Sequence, residues 1–193
     1  MQQNLVDSSK PHEMQTVVIE INEGGVDFSE IGRNNKVRLL NEINRYSFNQ
    51  FELNVNNKLA CVDGCINSNG SIRFGQDLLE ACENNTVCIK VLFVRNAGSN
   101  VDQKEVLMGG MTVKESDTMY LILINPETAY YETERGDVVL ADAGMVFIHE
   151  LSGHCLPMIR NVQTNAVEIE NVIRSEIKFG VPLRKGNPHD SSI

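Results

Sequence analysis

The chain has 193 residues, a length that predicts one domain with a substantial hydrophobic core. Its formal net charge of −9 argues against a nucleic-acid-binding protein, which would present a basic face to phosphates. No apolar run approaches the roughly 18 residues of a membrane span, and the first residues lack the basic and apolar regions of a signal peptide. We therefore expect no membrane partner, and a protein that is either cytoplasmic or exported by a route that the sequence does not reveal.

The first half of the chain predicts a mixture of strands and helices. Residues 1–14 are polar and predict a disordered segment, whereas residues 15–193 predict a single domain. Alternating or apolar runs predict strands at 16–21, 51–55, 58–62 and 86–94, and helical spacing predicts helices at 27–45 and 76–83.

The second half predicts one further strand and two helices. Residues 96–110 are polar and predict a loop or hairpin, and residues 118–124 predict a strand, for which an interior position is preferred over a peptide-docking sheet edge. An apolar run over 137–156 predicts a buried helix that Pro157 ends, and a C-terminal helix over 165–179 follows. This order predicts an α+β fold with a small, mainly antiparallel sheet.

The cysteines do not form a recognisable framework. Five are present: Cys61, Cys65, Cys82, Cys88 and Cys155. The close pair Cys61 and Cys65 is compatible with half of a metal site or with a disulfide, but no second pair of ligands follows at zinc-ribbon spacing. Free thiols or an incidental disulfide are the preferred interpretation.

Two of the four histidines fall in the segment 147–154, which reads Phe-Ile-His-Glu-Leu-Ser-Gly-His. Imidazole and carboxylate groups rarely enter an apolar helix without a partner, and a metal ion supplies one. In zinc hydrolases with the H-E-x-x-H pattern, both histidines bind zinc and the glutamate is the general base. The segment therefore predicts a Zn2+ site in which His149 and His154 are ligands and Glu150 is the catalytic base.

The two histidines are one residue further apart than in that pattern. On a regular α-helix, residues five apart point about 140° from each other, too far to bind one ion. A π-bulge of one residue would return His149 and His154 to the same face, and such bulges occur mostly at functional sites. Gly153 stands where the extra residue would be absorbed. The spacing therefore predicts a π-bulge in the metal-binding helix.

A third protein ligand is expected, because a catalytic zinc usually keeps three and leaves the fourth position for water. The following helix offers Glu168 and Glu170, which point about 200° apart, so that only one can face the metal. The alternative is that both are solvated charges on the helix surface. Residue spacing alone does not choose between them.

The segment His149-Glu150-Leu-Ser-Gly-His154 resembles the H-E-x-x-G-H motif of dipeptidyl peptidase III, in which the helix accommodates one inserted residue. The downstream pattern, E-N-x-x-R from Glu170 and G-x-P-x-R ending at Arg184, is similar to small bacterial zinc peptidase domains of secreted effectors and polymorphic toxins. Those domains usually have the shorter histidine spacing and a tyrosine after the last arginine.

The resemblance covers residues 146–184 and implies a zincin-like fold and a zinc metallopeptidase acting on a peptide or protein substrate. It also implies Glu170 as the third zinc ligand, with Glu168 as the alternate. The group that stabilises the oxyanion stays open among five candidates: Tyr130, Tyr131, Arg174, Arg184 and His189. Asn171 and Arg174 either orient the ligands or form ordinary helix contacts.

Two other functions stay open. One is a non-catalytic binding domain with a structural or vestigial metal site, and the other is a zinc amidase acting on cell-wall peptides. Structural zinc sites are usually closed by four Cys and His ligands, and Cys155 would point away from the face that the histidines share. The presence of Glu150 favours catalysis, because a structural site needs no base.

Overall fold

The computed structural model describes residues 24–94, 109–125 and 129–186. The predicted disorder of 1–14, the predicted strand at 16–21, most of the loop predicted at 96–110, and His189 lie outside these residues. In chain order the elements are β1 (Gly25–Asp27), α1 (Arg33–Tyr46), β2 (Asn49–Leu53), β3 (Leu59–Ile66), α2 (Ile72–Glu83), β4 (Cys88–Phe93), β5 (Gly110–Ser116), β6 (Met119–Ile124), β7 (Ala129–Glu132), β8 (Val138–Ala141), α3 (143–160) and α4 (Ala166–Glu176). Mixed helices and small sheets confirm the α+β class.

The largest sheet has four strands in the order β1-β4-β6-β5. Strand β4 pairs in parallel with β1 and with β6, and only β5 is antiparallel to its neighbour, β6. The prediction of a mainly antiparallel sheet is therefore wrong for this sheet, which is mixed. The reason is that β1 and β4 are joined through α1, a hairpin and α2, and a crossover of that length permits parallel pairing. Strand β6 is interior, as predicted, and the edge beside it is β5.

Two hairpins accompany this sheet. Strands β2 and β3 pair antiparallel and coincide in part with the strands predicted at 51–55 and 58–62. Strands β7 and β8 form a second antiparallel hairpin, where the sequence predicted a loop and the first turn of a helix. The segment Val138–Ala141 is rich in β-branched residues, and Gly136 supplies the turn with a φ of +87°. The buried helix therefore begins at Ala143 and not at Asp137.

Helix α3 is capped by two carboxylates at its N-terminus. The Asp142 side chain accepts a hydrogen bond from the Met145 backbone at 2.9 Å, and Glu42 of α1 accepts one from the Gly144 backbone at 2.8 Å. Negative charge at this end is favourable because it satisfies free N–H groups and complements the helix dipole. The caps fix the start of α3 against α1, and thereby fix the direction in which α3 runs beneath the sheet.

Pro157 does not end α3, which continues to Arg160. The middle of the helix, His149–Cys155, is a π-helix, and the backbone N–H of Leu156 bonds to the carbonyl of Leu151, five residues earlier. Pro157 has no N–H to offer the Gly153 carbonyl, which lies 3.5 Å from the Thr164 hydroxyl instead. The proline therefore costs the helix little at the exit of the π-helical segment.

The core lies between the four-stranded sheet, α1, α2 and α3. Phe147 of α3 packs edge-on against Phe28 and Phe74, with ring centroids 6.2 and 6.4 Å away. Every residue from 143 to 153 is buried, so that the middle of α3 is held rigidly inside the domain. Within the described ranges, no helix is long and apolar enough to cross a membrane.

All five cysteines lie within the described residues and are free thiols. Burial raises the pKa of the Cys82 thiol to about 12 and also raises that of Cys155. Since the thiolate is the reacting species, we expect only the exposed Cys65 to react rapidly with a disulfide reagent at pH 8, and the buried thiols to react after unfolding. Counting released chromophore in the wild type and in Cys65→Ser tests this, and a rapid phase that persists in Cys65→Ser would contradict it.

Candidate metal centre

The π-helical segment brings His149 and His154 together. Because a π-helix bonds each residue to the one five positions on, its turn matches the spacing of these histidines. Their Nε2 atoms lie 3.3 Å apart, and their rings meet edge to face with centroids 5.0 Å apart. The predicted departure from α-helical geometry is confirmed, because His149–Cys155 form a short π-helical segment within α3.

The separation of these nitrogens fits a tetrahedral zinc ion. Two nitrogens each about 2.0–2.1 Å from such an ion lie about 3.3–3.4 Å from each other. Two lone pairs at 3.3 Å repel, so the arrangement needs a proton or a metal ion between His149 and His154. A carboxylate oxygen of Glu150 joins them, since the ligand atoms of all three residues lie within 4.8 Å of one another. Because their ligand atoms are suitable donors and lie close together, His149, Glu150 and His154 form a possible metal-binding site.

Gly153 permits the close packing of α4 against this segment. A Cβ atom at Gly153 would lie 2.7 Å from Cβ and 3.0 Å from Cα of Ala166, the first residue of α4. The sequence predicted Gly153 for its backbone freedom, but its φ is not in the left-handed region. The requirement is steric instead: only glycine lets the N-terminus of α4 approach the metal-binding helix this closely.

Glu150 is buried against the edge strand β5. Its carboxylate Oε2 accepts a hydrogen bond from the Thr112 hydroxyl at 2.9 Å. A Cβ atom at Gly110 would lie 2.9 Å from Glu150 Oε1, so the strand passes directly over the carboxylate. Burial raises the pKa of Glu150, whereas the charge of His149 and the Thr112 hydrogen bond oppose that rise. The environment therefore favours a carboxyl group able to accept and return a proton.

Thr112 and Gly110 were missed at the sequence level. Residues 96–110 were predicted as a loop or hairpin, and no strand was predicted over Gly110–Ser116. The two glycines at its start concealed the strand: Gly109 has a φ of +118°, which is typical of a turn, and Gly110 is a poor strand former. A signal was present in the alternation of Met111 and Val113 with polar residues.

Glu170 of α4 lies behind His149. Its Oε2 atom is 2.8 Å from His149 Nδ1, and since a carboxylate can only accept, Nδ1 carries the proton and Nε2 keeps its lone pair. This is the carboxylate–histidine arrangement that orients metal-binding histidines. The prediction of Glu170 as a direct ligand stays a prediction, and in the geometry described here the carboxylate orients His149. The alternate, Glu168, is exposed and bonds to Asn165 at 3.0 Å.

Arg174 closes the other side of Glu170. Its side chain is fully buried, donates to Glu170 Oε1 at 2.8 Å through Nε, and donates from Nη1 to the Tyr131 hydroxyl and the Pro182 carbonyl. Burial alone would raise the pKa of Glu170, but the His149 hydrogen bond and the two arginines Arg174 and Arg184 hold it well below its usual range. The carboxylate is therefore ionised and fully engaged.

The candidates for oxyanion stabilisation differ in burial and in their position relative to the cleft. Arg174 is buried and donates to the Tyr131 hydroxyl, which accepts this bond and therefore keeps its own O–H as a donor at the cleft wall. Tyr130 is exposed at the cleft rim, and Arg184 lines the cleft with 15% of its side chain exposed. His189 lies outside the described residues. Among the described candidates, Tyr130, Tyr131 and Arg184 thus line the cleft with a donor to offer.

The candidate metal-binding cluster of His149, Glu150 and His154 lines a cleft of about 660 Å3. This volume is within the range usual for small-molecule and peptide sites. Met145 lines the cleft before His149 along α3, Met158 lines it after His154, and the start of β5 forms part of its wall. Methionines therefore flank the cluster along α3, while charged residues such as Arg184 and Lys185 form another part of the cleft wall.

Comparison with known proteins adds no identification. The chain matches no protein-family model, and no curated protein or solved structure matches it.

Proposed function

We propose that this protein is a zinc-dependent peptidase with a zincin-like fold. The observation that carries the proposal is the pair of imidazole Nε2 atoms 3.3 Å apart, with the buried carboxylate of Glu150 beside them in one open cleft. An orienting carboxylate on the far nitrogen of His149 adds support, because metal-binding histidines are usually held in this way.

In this proposal, His149 and His154 hold Zn2+, which when bound supplies Lewis acidity and makes a water molecule more acidic. Glu150 takes the proton of the attacking water on its carboxylate and returns it to the departing amine. The Thr112 hydroxyl holds Oε2 of that carboxylate, and β5 covers it at Gly110, so the proton acceptor is fixed in position. Glu170 holds the proton on His149 Nδ1, so that Nε2 carries the lone pair that would bind the metal.

A peptide substrate is favoured by the position of β5. This strand is the edge of its sheet next to β6, and Gly110, Met111 and Thr112 line the cleft. An extended polypeptide can add to such an edge through backbone hydrogen bonds, which is a common mode of peptide recognition. The bond to be cleaved would then pass over Glu150, which Thr112 of the same strand holds in place.

The competing proposal, a binding domain with a structural metal, predicts a closed set of four ligands. Cys155 is the nearest cysteine in sequence, but it is buried and does not belong to the metal-binding cluster. The open cleft and the buried base both favour catalysis over this alternative.

Metal content of the purified wild type, His154→Ala and Glu150→Gln, measured by elemental mass spectrometry, tests the proposal. We expect about one zinc per chain in the wild type and in Glu150→Gln, and none in His154→Ala. The zinc-loaded wild type should cleave members of a peptide library, and Glu150→Gln should lower this rate by at least about 100-fold. A wild type that takes up no zinc would contradict the proposal.

A further inference from the structure

The guanidinium of Arg184 lies in the cleft with donors to spare. Its Nη1 atom donates to Glu170 Oε2 at 3.1 Å. Nη1 also lies 3.3 Å from His149 Nδ1, but that nitrogen carries a proton for Glu170, so this approach is a contact and not a hydrogen bond. Among the described residues, Nε and Nη2 of Arg184 have no hydrogen-bond partner.

Hydrogen bonds hold both backbone polar groups of Arg184 in place. Its N–H donates to Asn171 Oδ1 at 2.7 Å, and its carbonyl accepts from Asn171 Nδ2 at 2.8 Å. The next residue, Lys185, donates its backbone N–H to the Glu132 carbonyl of β7 at 2.7 Å. Asn171 therefore ties the segment 183–185 to α4, while β7 holds it from the other side. A donor held in this way is preorganised for a ligand.

The charges around Arg184 favour an anion. One carboxylate, Glu170, is shared by the two guanidiniums of Arg174 and Arg184. Arg174 donates to Oε1 of that carboxylate from both Nε and Nη2, and its Nη1 donates to Tyr131 and Pro182. Glu170, Arg174 and Arg184 together carry one positive charge in excess, and Arg184, which is the more exposed of the two arginines, also interacts electrostatically with Glu150 across the cleft.

We propose that the free edge of Arg184 binds an anionic oxygen of the substrate. This inference rests on the proposed function and extends it by assigning a group that contacts the reacting chain. The oxygen has two sources: the carbonyl that becomes an oxyanion during attack, or the terminal carboxylate of a short peptide. Both place an oxygen anion against a guanidinium, and a fork with two free donors suits either.

Binding of phosphinic peptides, whose phosphinate imitates the attacked carbonyl, tests the proposal. Two probes are needed, one ending in a carboxylate and one in an amide, and each is titrated into zinc-loaded protein by calorimetry. Arg184→Lys keeps the positive charge and the contact with Glu170 but removes the second donor edge, so we expect both probes to bind about 100-fold more weakly. If the terminal carboxylate is the source, only the acid-ended probe will lose affinity.

Lys185→Met is the matched control, because it removes a neighbouring cleft cation that is already paired with Glu132 at 2.8 Å. It should change probe affinity by less than about threefold. Zinc content and the thermal midpoint of Arg184→Lys should equal those of the wild type, which separates ligand binding from a structural role. Equal affinity of Arg184→Lys and wild type for both probes would overturn the proposal.

A second measurement does not depend on metal. The side-chain Nε–H resonance of Arg184, identified by its loss in Arg184→Lys, should shift when a short peptide with a free carboxylate is added. A protein that fails to bind zinc would contradict the proposed function alone, because this resonance would still decide whether Arg184 binds an anion. If the peptide causes no shift and Arg184→Lys binds both probes as tightly as the wild type does, anion binding by Arg184 is ruled out.

Discussion

Gly153→Ala is expected to lower the free energy of unfolding by about 2–3 kcal/mol and to weaken zinc binding by at least about tenfold. The added methyl group would lie 2.7 Å from Ala166 Cβ and 3.0 Å from its Cα, and Ala166 is a fully buried residue at the start of α4. No flexible side chain is there to move aside. Either α4 shifts as a unit, or the π-helical segment distorts.

Both responses damage the metal site. A shift of α4 away from Gly153 carries Glu170 away from His149 Nδ1, now 2.8 Å distant, and releases the ring from its fixed orientation. A distortion of the π-helix separates the two Nε2 atoms, now 3.3 Å apart. The loss of zinc affinity therefore follows from packing, although Gly153 itself donates nothing to the metal.

The measurement is thermal unfolding with and without zinc, together with a zinc titration against a competing chelator. Ser152→Ala is the matched control, because it makes an alanine at the neighbouring position of the same segment. Among the described residues, the Ser152 hydroxyl is buried without a hydrogen-bond partner, so its removal should cost less than about 0.5 kcal/mol and leave zinc affinity unchanged. A Gly153→Ala protein with wild-type stability and zinc affinity would show that α4 can move without consequence.

The geometry of the candidate site could be predicted from sequence because binding one metal ion constrains the two histidines strongly. Two histidines and a glutamate in an apolar run need a shared partner, and a spacing of five residues then requires a helix with a longer turn. The predicted segment and the π-helical geometry were found at His149–Cys155. The role of Gly153 was predicted for the wrong reason, because its neighbour across the interface, Ala166, is visible only in three dimensions.

The sheet was predicted less well because pairing depends on partners distant in sequence. The strand pattern of 118–124 gave β6 correctly, but nothing in that pattern says whether its neighbours run parallel or antiparallel. Strand β5 was not predicted because Gly109 and Gly110 at its start are typical of a turn. The contact of Thr112 with Glu150 was therefore not predicted either. The wall of the cleft that β5 forms could not be derived from the motif alone.

The two glutamates of α4 show the same limit of prediction from sequence. Spacing placed Glu168 and Glu170 on nearly opposite faces but could not say which face meets the metal. The structure directs Glu170 to His149 and leaves Glu168 exposed. Whether Glu170 orients the histidine or binds the metal itself is a question of a side-chain rotation, and it has a direct experimental answer.

Glu170→Gln is expected to lower the free energy of unfolding by about 3–5 kcal/mol, because it leaves the buried guanidinium of Arg174 without its carboxylate. The amide oxygen can still accept from His149 Nδ1, so an orienting role predicts a loss of zinc affinity of only about 10–100-fold. X-ray absorption at the zinc edge should then show the same number of nitrogen and oxygen ligands as in the wild type. A direct ligand would instead be lost from that count.

Two further variants separate charge burial from metal binding. Glu168→Gln changes an exposed carboxylate two residues away on the same helix and should alter neither stability nor zinc affinity measurably. The double variant Glu170→Leu with Arg174→Met removes both buried charges, and apolar replacement of a buried ion pair is often neutral. We expect it to recover most of the stability lost in Glu170→Gln but none of the zinc affinity, because His149 still lacks its partner. Recovery of both would show that Glu170 acts on the fold alone.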